Sequence, residues 1–282
     1  SGYASSTGAF GLSVKNYTFF DRDLWRVFVD GSIANTPTYY WGQGFHAGDK
    51  DNEKEKYTAQ VLTLRPTLYR QLIDHVYLGA GWSLAAQNAD EMDHDDRPKI
   101  ENTPQGPSVF SSGASIDINW DDRDFVPNPR RGQYANLRYT HYAPGLGSDT
   151  RFEEFQLHYS HYHALSEKSV LAWEADGAFT QGEVPWSMMP RMRGYYQGRY
   201  RDKNVVSGQL EYRRQLTWRH GIVAWAGAGT MGPSLSSLNN GRWLPSAGVG
   251  YRFEFKPRVN VRLDYGIGNG SSGFYFQVGE AF

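Results

Sequence analysis

The chain has 282 residues, no cysteine, and 29 Lys+Arg against 30 Asp+Glu, for a formal net charge of -1. Charge this balanced gives no overall attraction to nucleic acid or anionic lipid, and the lack of cysteine excludes a disulfide scaffold, a thiolate-held metal and thiol catalysis. A mean hydropathy of -0.63 suits a soluble protein, but it equally suits a membrane β-barrel, whose polar lumen face dilutes its apolar lipid face.

A spanning helix needs roughly 20 mostly apolar residues in one run, and the sequence has none. Its longest uncharged stretch, residues 221–241, is broken by Thr230, Gly232, Pro233, Ser234 and Asn239. The opening SGYASSTGAF lacks the basic start and apolar core of a secretory signal, so a signal was either removed or never present.

Period-two alternation dominates from the N-terminus onward, which predicts strands. Phe10, Leu12 and Val14 alternate with Gly11, Ser13 and Lys15, and Trp25, Val27 and Val29 with Arg26, Phe28 and Asp30. A less regular run over 57–69 precedes Val76, Leu78, Ala80, Trp82 and Leu84, set against Tyr77, Gly79, Gly81 and Ser83. Ala114, Ile116, Ile118 and Trp120 follow, then Ala135, Leu137 and Tyr139, then Phe155, Leu157 and Tyr159. Leu171, Trp173, Ala175 and Phe179 oppose Glu174 and Asp176, and Leu210 and Tyr212 oppose Glu211 and Arg213. Strands over 222–230 and 242–255, the run Val261, Leu263 and Tyr265, and the ending Phe274, Phe276, Val278, Glu280, Phe282 bring the count to 13.

A soluble sandwich would alternate too, but the polar faces here repeatedly combine Arg with Asp or Glu, as a lumen does. Short connections (20–23, 71–74, 166–168, 216–219, 256–257) also alternate with long ones (34–56, 87–108, 182–203, 232–241). That is the pattern of periplasmic turns and external loops in outer-membrane barrels. The fold expected is all-β, a single transmembrane antiparallel β-barrel over residues 1–282, of 12 to 16 strands. Barrels of this kind have even strand numbers, so 13 visible strands favour 14, with one further strand upstream.

Three local patterns are more specific. Arg193-Gly194-Tyr195 lies in the 182–203 connection and is followed by a strand centred on GQLEYR. Asp121, Arg123, Pro129 and Gly132 mark a turn between two strands, and the chain ends RLDYGIGNGSSGFYFQVGEAF. In order and spacing these resemble the BamA/TamA outer-membrane protein superfamily, also called the bacterial surface antigen family, over about residues 110–282. The resemblance implies that the 182–203 loop folds into the lumen, where Arg193 meets acidic wall residues, here Glu211 and Asp264. A guanidinium suits that role because its rigid fork holds two carboxylates at once. The strand after GQLEYR reads AWAGAG where many relatives carry an aspartate, which puts a third carboxylate in doubt. Phe274, Phe276, Val278 and Phe282 resemble a C-terminal insertion signal, whereas Asp121, Arg123, Pro129 and Gly132 read as turn structure. No segment can serve as a periplasmic POTRA domain.

No metal site, cofactor or catalytic residue is expected. His158 and His161 face opposite sides of one strand, and Ser160 beside His158 lacks an oxyanion partner or G-x-S-x-G elbow. The family resemblance implies a bacterial outer-membrane protein that helps insert or move proteins or lipids. Its partners would be outer-membrane lipids and lipopolysaccharide, client outer-membrane proteins, or an upstream fused or periplasmic partner, and not nucleic acid. A passive diffusion pore, or an anchoring barrel with a loop-plugged lumen, are the alternatives.

Overall fold

A computed structural model describes residues 2–4, 9–93, 99–190, 195, 198–239 and 241–282. They form one 14-stranded antiparallel sheet in which each strand pairs only with its sequence neighbours. The first half comprises β1 (Gly2–Ala4), β2 (Phe10–Phe20), β3 (Trp25–Tyr40), β4 (Glu55–Ile73), β5 (Val76–Asp90), β6 (Ser108–Asp121) and β7 (Gly132–Tyr142). The second comprises β8 (Phe152–Ser166), β9 (Ser169–Gly182), β10 (Asn204–Gln215), β11 (His220–Gly232), β12 (Leu244–Lys256), β13 (Val259–Gly268) and β14 (Ser271–Val278). The 13 strands read from the sequence are β2 to β14. Among the described residues the count reaches 14 inside the chain, by the three residues of β1 paired with β2. No helix among the described residues is long and apolar enough to cross a membrane, which says nothing about crossing by strands.

The alternation sorts side chains onto two faces. Leu12, Leu62, Ile116, Leu157, Leu210, Leu263 and Phe276 are exposed on the outer face, while Arg26, Asp117, Glu174, Glu211, Arg252 and Asp264 are buried on the inner one. The sheet is rolled around that inner face. Arg258, after β12, meets Asp124, after β6, at 2.7 Å, although a flat sheet would hold those turns roughly 28 Å apart at about 4.8 Å per strand. Among the described residues no ladder joins β1 or β2 to β14, so the roll has a seam with two unpaired edges.

Two connections depart from the expected alternation of lengths. The β6–β7 connection, 122–131, lies at the short-turn end but is ten residues long. The β13–β14 connection is only Asn269 and Gly270 at the long-loop end, made possible by Gly270 at φ 65°. The chain's end differs as well. β14 stops at Val278, Gly279 turns at φ 95° with its N–H on the Asn260 carbonyl (2.8 Å), and the tail enters the lumen. Phe282 therefore lies against Tyr162 of β8 instead of extending the outer row of Phe274, Phe276 and Val278.

If the outer face meets lipid, a charge in the middle of β6 is costly. Ile116→Arg should lower the free energy of unfolding by about 2–4 kcal/mol in phospholipid vesicles, measured by urea titration. A change below the error of the titration would contradict the assignment of faces.

Candidate functional site in the lumen and at the sheet edge

Alternation turns Glu211 and Arg213 of β10, Arg252 of β12, and Asn260, Arg262 and Asp264 of β13 inward, on one sector of the wall. Arg252, with its side chain 5% exposed, is the hub. Its Nη1 donates to Asp264, its Nε to Glu280 at 2.7 Å, and its Nη2 stands 3.9 Å from Glu211. Arg213 donates through Nε to Glu211 at 2.6 Å and through Nη2 to the Phe282 carbonyl at 3.1 Å. Arg262 lies 3.6 Å from Asp264 and donates to Gln277 of β14. Asn260 donates to Glu280 at 2.6 Å.

Glu211 and Asp264 are thus brought together as expected from their register, but by arginines of the wall. Arg193 and Gly194, expected as their loop partner, lie outside the described residues. The third carboxylate that AWAGAG lacks is Glu280, delivered by the tail. In its place on β11, Trp225 points inward over β12, so that a Cβ at Gly248 would sit 2.5 Å from the indole.

The described part of the β9–β10 connection, residues 183–190, 195 and 198–203, lies at the long-loop end. Trp186 packs with Tyr40, Tyr57, Ala89 and Ile100, Val184 packs with Tyr142 and Phe152, and Tyr195 and Tyr200 pack with Val205, Met231 and Leu244. The loop therefore touches strands on both sides of the mouth. The Tyr195 hydroxyl donates to the Pro245 carbonyl at 2.5 Å and accepts from the Asn269 N–H at 3.4 Å. Arg201, 2% exposed, is the buried loop arginine among the described residues. It lies against the rings of both Tyr40 and Trp186, 5.1 and 5.6 Å from their centroids, and donates to the Trp186 and Gly198 carbonyls. Arg199 donates to Gly48 before β4 at 2.9 Å and to Gly270 before β14 at 2.7 Å, so one side chain spans the two sides of the seam.

Two acids tune this cap. The two-pronged bond from Arg242 (2.6 and 2.9 Å) and a bond from the Tyr200 hydroxyl hold the Asp49 carboxyl below the ordinary aspartate range. Burial pushes the Asp202 carboxyl up, opposed by its bonds from Gln43 and the Lys203 N–H.

The Asp121, Arg123, Pro129, Gly132 turn closes part of the other end. Arg123 grips Asp121 through two bonds of 2.8 and 2.9 Å and lies over the Tyr134 ring. Gly132, at φ 93°, leaves no room for a Cβ against the Asp122 carbonyl, which explains its glycine. Pro129 is buried and its carbonyl accepts from Arg213 at 3.5 Å, joining the turn to the ionic cluster. Phe274, Phe276 and Val278 stand outward on β14, 76, 72 and 64% exposed, next to the seam.

The histidines separate as their spacing implied. His161 stacks on Trp173, while His158 faces inward and bonds Asp176 at 2.6 Å. His158, Glu174 and Asp176 bring ligand atoms within 4.8 Å of one another, a grouping that one-strand spacing hides because two of its members come from the next strand. Ser160 is fully buried and accepts from the Tyr162 hydroxyl at 3.0 Å.

Sequence reasoning missed Arg199, Arg201, Arg213, Arg252, Arg262 and Glu280. For the wall arginines a signal existed, since they share the inward register of Glu211 and Asp264. For the loop arginines there was none. Removing the hub by Arg252→Ala should cost about 3–5 kcal/mol, because it strands buried carboxylates. Arg252→Lys should recover only part of this, read by denaturant unfolding; a cost under about 1 kcal/mol would make the cluster incidental. The Asp49 contribution should be present above the ordinary aspartate value of 3.8 and fade as pH falls through its lowered value. Loop proteolysis should then accelerate at that lower pH in the native chain, and Asp49→Asn should remove the acid-dependent step.

No curated protein is similar in sequence at a significant level. Among solved structures, BamA from Haemophilus ducreyi lacking POTRA domains 1-3 is 17% identical with a TM-score of 0.59, the match covering 96% of this chain and 62% of that one. CdiB from Escherichia coli is 14% identical with a TM-score of 0.60, covering 96% and 52%. CdiB from Acinetobacter baumannii is 11% identical with a TM-score of 0.56, covering 96% and 49%. The likeness at these identities is one of fold, and this chain spans less than two thirds of those chains. The Omp85 superfamily domain matches residues 9–282. With a match over nearly its whole length, this chain belongs to the Omp85 superfamily.

Proposed function

We propose that the chain is an outer-membrane barrel that helps polypeptides enter or cross that membrane at its seam. The observation that carries this reading is the edge of β14, which among the described residues has no strand partner and stands opposite the three-residue β1 and the β2 edge beyond it, whereas β3 to β13 are laddered on both sides. Backbone groups at such an edge have no water to bond in hydrocarbon, and an incoming strand supplies the missing partners. Family membership and the BamA and CdiB folds support the same reading. The role is that of a conduit and not a catalyst. Lipid and lipopolysaccharide would cover the outer apolar face, and client outer-membrane proteins would engage β14. A steady open pore is the weaker reading, since Val184, Trp186, Tyr195 and Tyr200 of the β9–β10 connection pack against wall residues at the long-loop mouth.

The chain has no cysteine, so an engineered pair would carry its only thiols. Val14→Cys with Phe276→Cys places one thiol on the outer face of each side of the seam. Bridging them with a reducible linker in proteoliposomes should stop insertion of a client barrel, and reduction should restore it. Unchanged insertion by the bridged protein would sink the seam mechanism.

A further inference from the structure

The short-turn mouth holds a cavity of about 340 Å³, lined by the β6–β7, β8–β9, β10–β11 and β12–β13 turns and by Glu280. Seven of its lining residues are Arg or Lys and two are Glu, in a chain that otherwise balances 29 basic against 30 acidic residues. Three of the seven are neutralised: Arg213 by Glu211, Arg252 by Asp264 and Glu280, and Arg258 by Asp124. The other four, Arg130, Lys168, Arg214 and Arg219, have no carboxylate within ion-pair distance among the described residues. Neutral groups hold three of them in place. Arg130 donates to the Ser166 carbonyl at 2.7 Å, Arg214 to the Ser169 hydroxyl at 2.7 Å, and Arg219 lies 4.2 Å over the Trp218 ring. These contacts fix position without cancelling charge, so the mouth keeps a concentrated positive field.

We propose that this mouth binds an acidic, extended segment of a polypeptide partner on the side of the short turns. Arg130, Lys168 and Arg219 sit on three separate turns and Arg214 lies near the end of β10 beside the last of them, a spread that suits an extended ligand better than a small anion. A strand-like segment, rising about 3.3 Å per residue, can carry several carboxylates past all of them. The cavity is too small for a folded domain and the right scale for a few side chains. Guanidinium forks suit carboxylates geometrically as well as electrically. This deepens the reading above by naming a partner chemistry, and its test reads binding alone, so it can fail while insertion activity stands.

The test uses the full chain in nanodiscs of zwitterionic phosphatidylcholine and a fluorescent peptide of alternating Glu and Ser. Anisotropy should show saturable binding at low ionic strength that weakens as salt rises. Lys168→Glu with Arg219→Glu should weaken it at least about tenfold, whereas Lys168→Arg with Arg219→Lys should retain it. All four substitutions are at exposed positions, and unchanged heat-modified gel mobility would confirm that the variants fold. A Gln-for-Glu peptide should not bind. The proposal is overturned if the acidic peptide fails to bind, or binds the charge-reversed variant equally well. It is also overturned if millimolar inorganic phosphate displaces the peptide, which would mark a small-anion site, or if phosphatidylglycerol nanodiscs abolish binding, which would mark a lipid-headgroup site.

Discussion

Inside a bilayer a backbone N–H or C=O has no water to bond, so every strand must find a ladder on each side. Among the described residues β3 to β13 satisfy that constraint, whereas β14 and β2 beyond Leu12 are laddered on one side only. What replaces the missing ladder is fastening from within and at the two ends. At the long-loop end, Arg199 bridges the Gly48 and Gly270 carbonyls across the seam. At the short-turn end, the tail after β14 is drawn into the lumen, where Arg252 and Asn260 hold Glu280 and the Phe282 ring rests on Tyr162. The last strand is thereby positioned without its free edge being consumed.

The cluster around Arg252 explains why charge is placed in the lumen at all. Burying ions costs desolvation that their attraction barely offsets, so such clusters are weak sources of stability but good at enforcing one arrangement. Arg213, Arg252 and Arg262 with Glu211, Asp264 and Glu280 tie three strands and the tail to one geometry. The near-zero net charge is in part the signature of this pairing. The short-turn mouth, where positive charge exceeds negative, is the local exception.

The strands and their two faces were legible because a period of two survives in every one from β2 to β14. Glu211 and Asp264 could be placed on the inner wall for the same reason. Three features were not legible, each for a physical cause. Three residues of β1 are too few to display a period. Phe282 continues the alternation in sequence, but Gly279 and the carbonyl of Asn260 turn the chain before it. A loop arginine gains its role from the rings it packs against, and nothing near Arg201 in sequence announces Tyr40, some 160 residues earlier.

The central claim is that β14 is held by interior contacts and not by a closing ladder. Hydrogen–deuterium exchange of the intact protein in detergent micelles tests it directly. The account predicts that amides of β14 pointing to the seam exchange orders of magnitude faster than those of β10 and β11, with β13 protected on both sides. Equal protection of β14 and β10 would mean that the seam is laddered shut, and would contradict the account.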